Sequence, residues 1–259
     1  MRKSKVLAKL RSGQFARFCS TGHYLPFYIG HAAHNGYDGI WLDLEHRTMD
    51  EREAQSLIAM CYYNDIDCMV RPKTLQRSEL YHYLEDGAAG FMVPFVSTPQ
   101  IARDLVAALK FPPMGNRGID GAGLDGDYGL DVWEPDTTYF EDSNDETFIV
   151  AQIETLEAVH NVDEIAAVPG IDLLFVGPAD LGRRLAVAEG PDRMSLAEAV
   201  ERVAAAAKRH GKAWGKTAGS VQEIEAAVKL GAQMVPWGGD FALTAALKKC
   251  GQELDGLGL

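Results

Sequence analysis

Two apolar runs in this chain end in a carboxylate: Phe148-Ile149-Val150-Ala151-Gln152-Ile153-Glu154, and Leu173-Leu174-Phe175-Val176-Gly177-Pro178-Ala179-Asp180. An ionised carboxylate at the end of a buried strand is costly unless positive charge meets it. Two of them on successive strands, with helical sequence between, point to a shared cation. Glu154 and Asp180 are therefore expected to hold a divalent metal. Two carboxylates with waters in the remaining positions suit a hard octahedral ion, Mg²⁺ or Mn²⁺, with Co²⁺ an alternative. Neither Cys nor a close His pair adjoins them, which argues against structural zinc. Taken singly, Glu154 reads as an acid at the N-terminus of the helix Thr155-Leu156-Glu157-Ala158, and Asp180 as a helix cap.

Other polar residues gather at strand ends. Asp43-Leu44-Glu45-His46-Arg47 follows one apolar run, Arg71 closes Cys68-Met69-Val70, and Gln152 precedes Glu154. The elements that must carry them alternate along the chain. Strands are predicted at 16–20, 39–43, 68–71, 90–93, 148–153, 173–176, 212–214 and 234–237. Helices are predicted at 50–63, 78–86, 98–109, 156–168, 195–210 and 221–230, where apolar residues recur every three or four positions. Eight β-then-α units with near-continuous apolar strands give an α/β fold, a (β/α)₈ TIM barrel, in one domain spanning 1–259. A doubly wound open sheet is the alternative, but no GxGxxG follows the first strand. In a barrel, chemistry belongs at the carboxyl ends of the strands, where these polar residues fall. The Gly- and Asp-rich segment 115–145 is expected to be a functional loop over the barrel mouth.

Of 259 residues, 47% are hydrophobic and 24% charged, ordinary for a globular protein with a sizeable core. Twenty-five Lys and Arg against 37 Asp and Glu leave a net charge of −12, which disfavours a nucleic-acid partner. The four scattered cysteines read as reduced thiols, and no apolar run suggests a membrane, so a cytoplasmic location is expected.

Several segments together resemble the HpcH/HpaI family of metal-dependent class II 2-oxo-acid aldolases, which includes 4-hydroxy-2-oxoheptanedioate and 2-dehydro-3-deoxyglucarate aldolases. They are Trp41-Leu42-Asp43-Leu44-Glu45-His46, Val70-Arg71-Pro72, Gly90-Phe91-Met92-Val93-Pro94-Phe95-Val96, and Phe111-Pro112-Pro113-Met114-Gly115-Asn116-Arg117-Gly118. Gln152-Ile153-Glu154-Thr155, Phe175-Val176-Gly177-Pro178-Ala179-Asp180-Leu181, Gly211-Lys212-Ala213 and Gly238-Gly239-Asp240 continue the likeness. The resemblance implies a barrel assembled as a homohexamer, its C-terminal helix exchanged onto a neighbour. It implies Glu154 and Asp180 as metal ligands, Arg71 at the substrate oxyanion, and His46, oriented by Asp43, as the acid/base element. Gln152, Gly177, Pro178, Ala179 and Asp180 would line the substrate pocket, the last two through backbone N–H groups. The implied reaction is reversible cleavage of a 4-hydroxy-2-oxo acid to pyruvate, or a close 2-oxo acid, and an aldehyde, through a metal-stabilised enolate. The alternatives are a CoA-thioester lyase of the citrate-lyase beta type and a barrel that binds a 2-oxo acid without turnover.

The chain departs from the family pattern in three places. Leu44 stands where a small residue is usual. The stretch 119–128 is acidic, which suggests a neutral or hydroxylated aldehyde. Lys216 replaces a small apolar residue and offers a Schiff-base rival to the metal.

Overall fold

Short strands buried on both faces have no solvent side, so they must be covered by helices and by one another. The computed structural model, which describes residues 2–130, 132–190 and 193–258, meets this with seven parallel strands in chain order. They are β1 (Phe18–Thr21), β2 (Gly39–Asp43), β3 (Asp67–Arg71), β4 (Gly90–Val93), β5 (Phe148–Ile153), β6 (Leu173–Val176) and β7 (Ala213–Lys216). The sheet curls around its own side chains: Phe18, Trp41, Met69, Met92, Val150 and Phe175 share one buried inner cluster. Their strand neighbours, such as Ile40, Val70, Ala151 and Trp214, pack outward in a second cluster with the helices. This alternation is the two-residue period of a strand applied to a rolled sheet.

The predicted eighth strand is not a ladder. Segment 234–239 instead makes isolated parallel bridges to both edges of the sheet: Met234 with Ala16 and Gly215, and Gly239 with Ser20. Pro236 lacks the N–H that a continuous ladder needs. Gly215 permits the close approach, since a Cβ there would lie 2.1 Å from the Met234 carbonyl oxygen. The result is a TIM-barrel-like α/β domain with seven regular staves.

Helices α3 (Glu51–Tyr63), α4 (Arg77–Glu85), α5 (Pro99–Leu109), α10 (Leu196–Arg209) and α11 (Val221–Lys229) match the predicted stretches to within two residues at each end. The stretch 156–168 divides into α7 (Leu156–His160) and α8 (Val162–Ala166), with Asn161 between them. Helices α1 (Lys5–Arg11), α2 (Pro26–His34) and α6 (Tyr139–Glu146) have no counterpart among the predicted stretches, whereas α9 (Pro178–Leu185) is the helix that begins around Asp180 and α12 (Ala242–Asp255) is the C-terminal helix that the family resemblance implies. Helix α12 buries none of its own residues, and Leu243, Leu247 and Leu254 are exposed on it. Among the described residues, no helix is long and apolar enough to cross a membrane.

The expectation for segment 115–145 is corrected by topology. It leaves a helix, α5, and enters a strand, β5, so it lies at the amino ends of the staves, opposite the barrel mouth. A Cβ at Gly87, just before β4, would lie 3.1 Å from Leu124, and Lys110 donates to the carbonyls of Asn144 (2.5 Å) and Thr147 at the start of β5. Within the segment, Arg117 is paired to Asp125 at 2.7 Å, and the Tyr139 hydroxyl donates to the same carboxylate. Asp131 lies outside the described residues. Within one chain, the acidity of this loop places no constraint on the aldehyde.

Helix α1 closes the same end. Asp67, fully buried at the start of β3, accepts from the Ser4 hydroxyl (2.6 Å), the Val6 N–H (2.9 Å) and Arg2. Replacing Asp67 with Ala strands these donors, and we expect a loss of about 3 kcal/mol. Urea denaturation of the Asp67→Ala variant measures it. An unchanged midpoint would show that α1 is not anchored through this carboxylate.

Candidate active site

The two-residue alternation also decides which strand-end side chains meet. Asp43 lies two residues beyond Trp41, Arg71 two beyond Met69, and Gln152 and Glu154 two and four beyond Val150. All three reference residues belong to the inner cluster, so the polar residues continue the inner face at the carboxyl ends. Lys216 has the opposite parity. It follows Trp214, which packs in the outer cluster, and its ammonium lies 3.8 Å from Glu223 on α11. The strand geometry therefore turns Lys216 from the interior, against the Schiff-base rival.

Arg71 and Asp43 are register partners across β2 and β3. Arg71 donates to both oxygens of Asp43, Nε to Oδ1 at 2.9 Å and Nη2 to Oδ2 at 2.7 Å. Its third nitrogen, Nη1, lies 3.2 Å from Glu45 Oε2, and the guanidinium sits over the Trp41 ring, 4.8 Å from its centroid. Burial pushes the Asp43 carboxyl up, but the bonds and charge of Arg71 outweigh it and hold it below the usual range. The arrangement differs from the expected one for His46. Asp43 receives the His46 backbone N–H (3.4 Å), while the exposed imidazole Nε2 lies 3.4 Å from Glu45 Oε2. A forked guanidinium with two parallel bonds is the better partner for Asp43, and the ring takes the next carboxylate along.

Glu154 is 2% exposed. Its Oε1 accepts the Phe95 N–H at 2.9 Å and its Oε2 the Gln152 amide at 2.5 Å. Burial raises its pKa, the Phe95 N–H lowers it, and the charges of Asp180 and Glu45 raise it further. The net shift is upward: burial is the largest cause, and the charge of Arg71, which is engaged with Asp43 and Glu45, offsets it only in part. Gly177 makes room for this carboxylate: a Cβ there would lie 2.6 Å from Glu154 Oε2 and 2.9 Å from Gln152 Nε2. Gly177 caps α9, Pro178 opens it, and the N–H groups of Ala179 and Asp180 have no acceptor within the helix. Arg184 Nη1 donates both to Asp180 Oδ1 (2.9 Å) and to the Glu154 carbonyl (3.3 Å), so both acids stand at one end of the sheet.

Could these residues hold a dication? Two carboxylates at one end form the hard donor set, and the buried Gln152 Oε1, which has no hydrogen-bond partner, is a third oxygen beside them. Among the described residues no group of three or more His, Cys, Asp or Glu is placed to bind a metal, so protein carboxylates alone do not complete a shell. The donors fit an ion that keeps several waters, as Mg²⁺ does.

Three further residues belong to this site. Phe95 acts through its backbone, in a left-handed conformation (φ 54°) that a non-glycine residue adopts rarely, and nothing in its side chain announces that role. Glu45 was seen only as part of a polar strand end. Arg184 was readable, since it stands four residues after Asp180 on a helix.

A model of the family described as HpcH/HpaI aldolase/citrate lyase matches residues 23–246. A hydroxypyruvate/pyruvate aldolase of Deinococcus radiodurans is 32% identical over 220 residues, 85% of this chain and 78% of that protein. A 2-keto-3-deoxy-L-rhamnonate aldolase of Klebsiella pneumoniae is 34% identical over 221 residues, 84% of this chain and 80% of that protein. Among solved structures, an HpcH/HpaI aldolase from Desulfitobacterium hafniense superposes with a TM-score of 0.85 at 31% identity, covering 95% of each chain.

The Arg71–Asp43 pair has a pH signature. A carboxyl held low in the folded state contributes stability above its unfolded pKa, about 3.9, and loses it as pH falls through the folded value. Asp43→Asn is expected to cost about 2 kcal/mol at pH 7. In urea melts the gap from the unsubstituted protein should shrink steadily below about pH 4. A gap independent of pH would mean that Asp43 is neutral or unpaired.

Proposed function

We propose, from the premise that this chain belongs to the HpcH/HpaI aldolase/citrate lyase family, that this carbon–carbon lyase is a divalent-metal-dependent class II aldolase. Its substrate is a 4-hydroxy-2-oxo acid, cleaved reversibly to pyruvate, or a close 2-oxo acid, and an aldehyde. The observation that carries the reading is the buried, under-compensated Glu154 beside Asp180 and the partnerless Gln152 oxygen.

Glu154 and Asp180, with Gln152 alongside, would hold the ion, Mg²⁺ or Mn²⁺, with Co²⁺ an alternative. Bound there, a dication supplies Lewis-acid stabilisation of negative charge at the 2-oxo group. The remaining work falls to the chain. The free N–H groups of Ala179 and Asp180, beyond Gly177 and Pro178, receive the substrate carboxylate at the start of α9. Arg71, fixed by Asp43 and stacked on Trp41, presents permanent positive charge to the 2-oxo oxygen as it gains electron density. His46, its ring exposed beside Glu45, takes the proton of the 4-hydroxyl. The C3–C4 bonding pair then moves toward C2, the aldehyde departs, and C3 is later reprotonated.

The unburied α12, with its exposed leucines, supports an assembly in which this helix packs on another subunit, the homohexamer being the expected form. Its partners are then the small-molecule 2-oxo acid and aldehyde. The four cysteines are free, in keeping with a reducing, cytoplasmic site of action.

Exchange of the pyruvate methyl protons in D₂O tests the reading. Exchange should require Mg²⁺ or Mn²⁺, stop with EDTA and in Glu154→Gln, and persist both in Lys216→Met and in enzyme pretreated with borohydride plus pyruvate. Exchange that survives EDTA but is lost after borohydride would reassign the chemistry to Lys216. Absence of exchange under every condition would leave the thioester-lyase or the non-catalytic reading. Separately, Arg71→Met should lower kcat for aldol cleavage by about a hundredfold or more, as loss of an oxyanion donor does. A rate within a few-fold of the unsubstituted enzyme would remove Arg71 from the mechanism.

A further inference from the structure

We propose that Arg184 is a resident cation that shares Asp180 with the metal and thereby sets how tightly the site holds a dication. The inference rests on the metal reading of Glu154 and Asp180.

Three elements fix this guanidinium. On its own helix, α9, Nη1 donates to Asp180 Oδ1 at 2.9 Å. Past the end of β5, the same nitrogen reaches the Glu154 carbonyl at 3.3 Å. Beyond β4, the Phe95 ring lies beneath it, 5.4 Å from guanidinium carbon to ring centroid. Phe95 also donates its N–H to Glu154 Oε1, so one residue supports both the candidate ligand and the cation beside it. The contacts to Phe95 and to the Glu154 carbonyl do not depend on Asp180. Arg184 therefore stays beside the site whether or not Asp180 turns to an ion.

The consequences follow from charge. Asp180 and Glu45 place further negative charge beside the buried Glu154, and Arg71 is bound to Asp43 and Glu45. Arg184 offsets this negative cluster when no dication is present. When one arrives, Asp180 Oδ1 is already engaged, leaving Oδ2 as the open oxygen, and a fixed positive charge stands nearby. Two effects oppose each other. An i, i+4 pair that pre-orients Asp180 favours binding by about twofold. Repulsion between the fixed +1 charge and a dication held on the same carboxylate, under water-like screening, disfavours it by about tenfold. Repulsion wins, so Arg184 holds the affinity down. The pair is partly exposed, at 36% for Arg184 and 48% for Asp180, so water-like screening is the appropriate choice.

Mn²⁺ binding, followed by the electron paramagnetic resonance of free Mn²⁺, tests this on the full chain without turnover. Arg184→Gln should bind Mn²⁺ about tenfold more tightly than the unsubstituted protein. Arg184→Lys keeps the charge and should stay within about threefold of it. Thermal melts in EDTA confirm that both variants are folded. Equal or weaker binding by Arg184→Gln would overturn the inference while leaving the metal reading intact. Tightening in Arg184→Lys equal to that in Arg184→Gln would also overturn it, because charge would not be the agent. If the unsubstituted protein binds no Mn²⁺, the metal reading fails and this inference falls with it.

Discussion

Glu154 ends an apolar stave with almost no access to water, and the polar architecture around it answers that one cost. A backbone N–H from Phe95 and an amide from Gln152 reach its two oxygens, but neither brings a full positive charge. The nearest interior guanidinium, Arg71, is held by Asp43 and Glu45. Gly177 leaves space where any Cβ would collide with the carboxylate, and Phe95 accepts an unfavourable backbone conformation to aim its N–H. Strain and unmet charge concentrated on one buried acid are what a cation site looks like before the cation is considered.

The two ends of the sheet do different work. At the amino ends, Asp67 ties down α1, Lys110 caps the carbonyls ahead of β5, and Arg117, Asp125 and Tyr139 knit the 115–145 segment. These charges are paired and structural. At the carboxyl ends the acids outnumber the uncommitted cations, and the side chains continue the inner face. Charge imbalance, more than charge itself, separates chemistry from scaffolding in this molecule.

Much of this was legible in the chain because strand alternation is rigid. Once Trp41, Met69 and Val150 are inside, Asp43, Arg71, Gln152 and Glu154 must follow, and Lys216 must not. Composition misled where topology decides. The acidic loop looked like a lid, yet it follows a helix and precedes a strand, which puts it at the far end of its own subunit. Pro236 was in plain view and explains why the eighth stave bridges without forming a ladder. The family resemblance implies the His46 ring on Asp43, but a bidentate arginine on the neighbouring strand competes better for that carboxylate. Phe95 could not have been found, since its contribution is a main-chain N–H set by φ. Arg184 could have been, from its spacing to Asp180.

The most direct test of the proposed shared cation is an anomalous-difference map from crystals grown with Mn²⁺ and pyruvate. One strong peak is expected within coordination distance of both the Glu154 and Asp180 carboxylates, on the Gln152 side of the inner face. No peak there, with pyruvate bound elsewhere or held by Lys216, would contradict it.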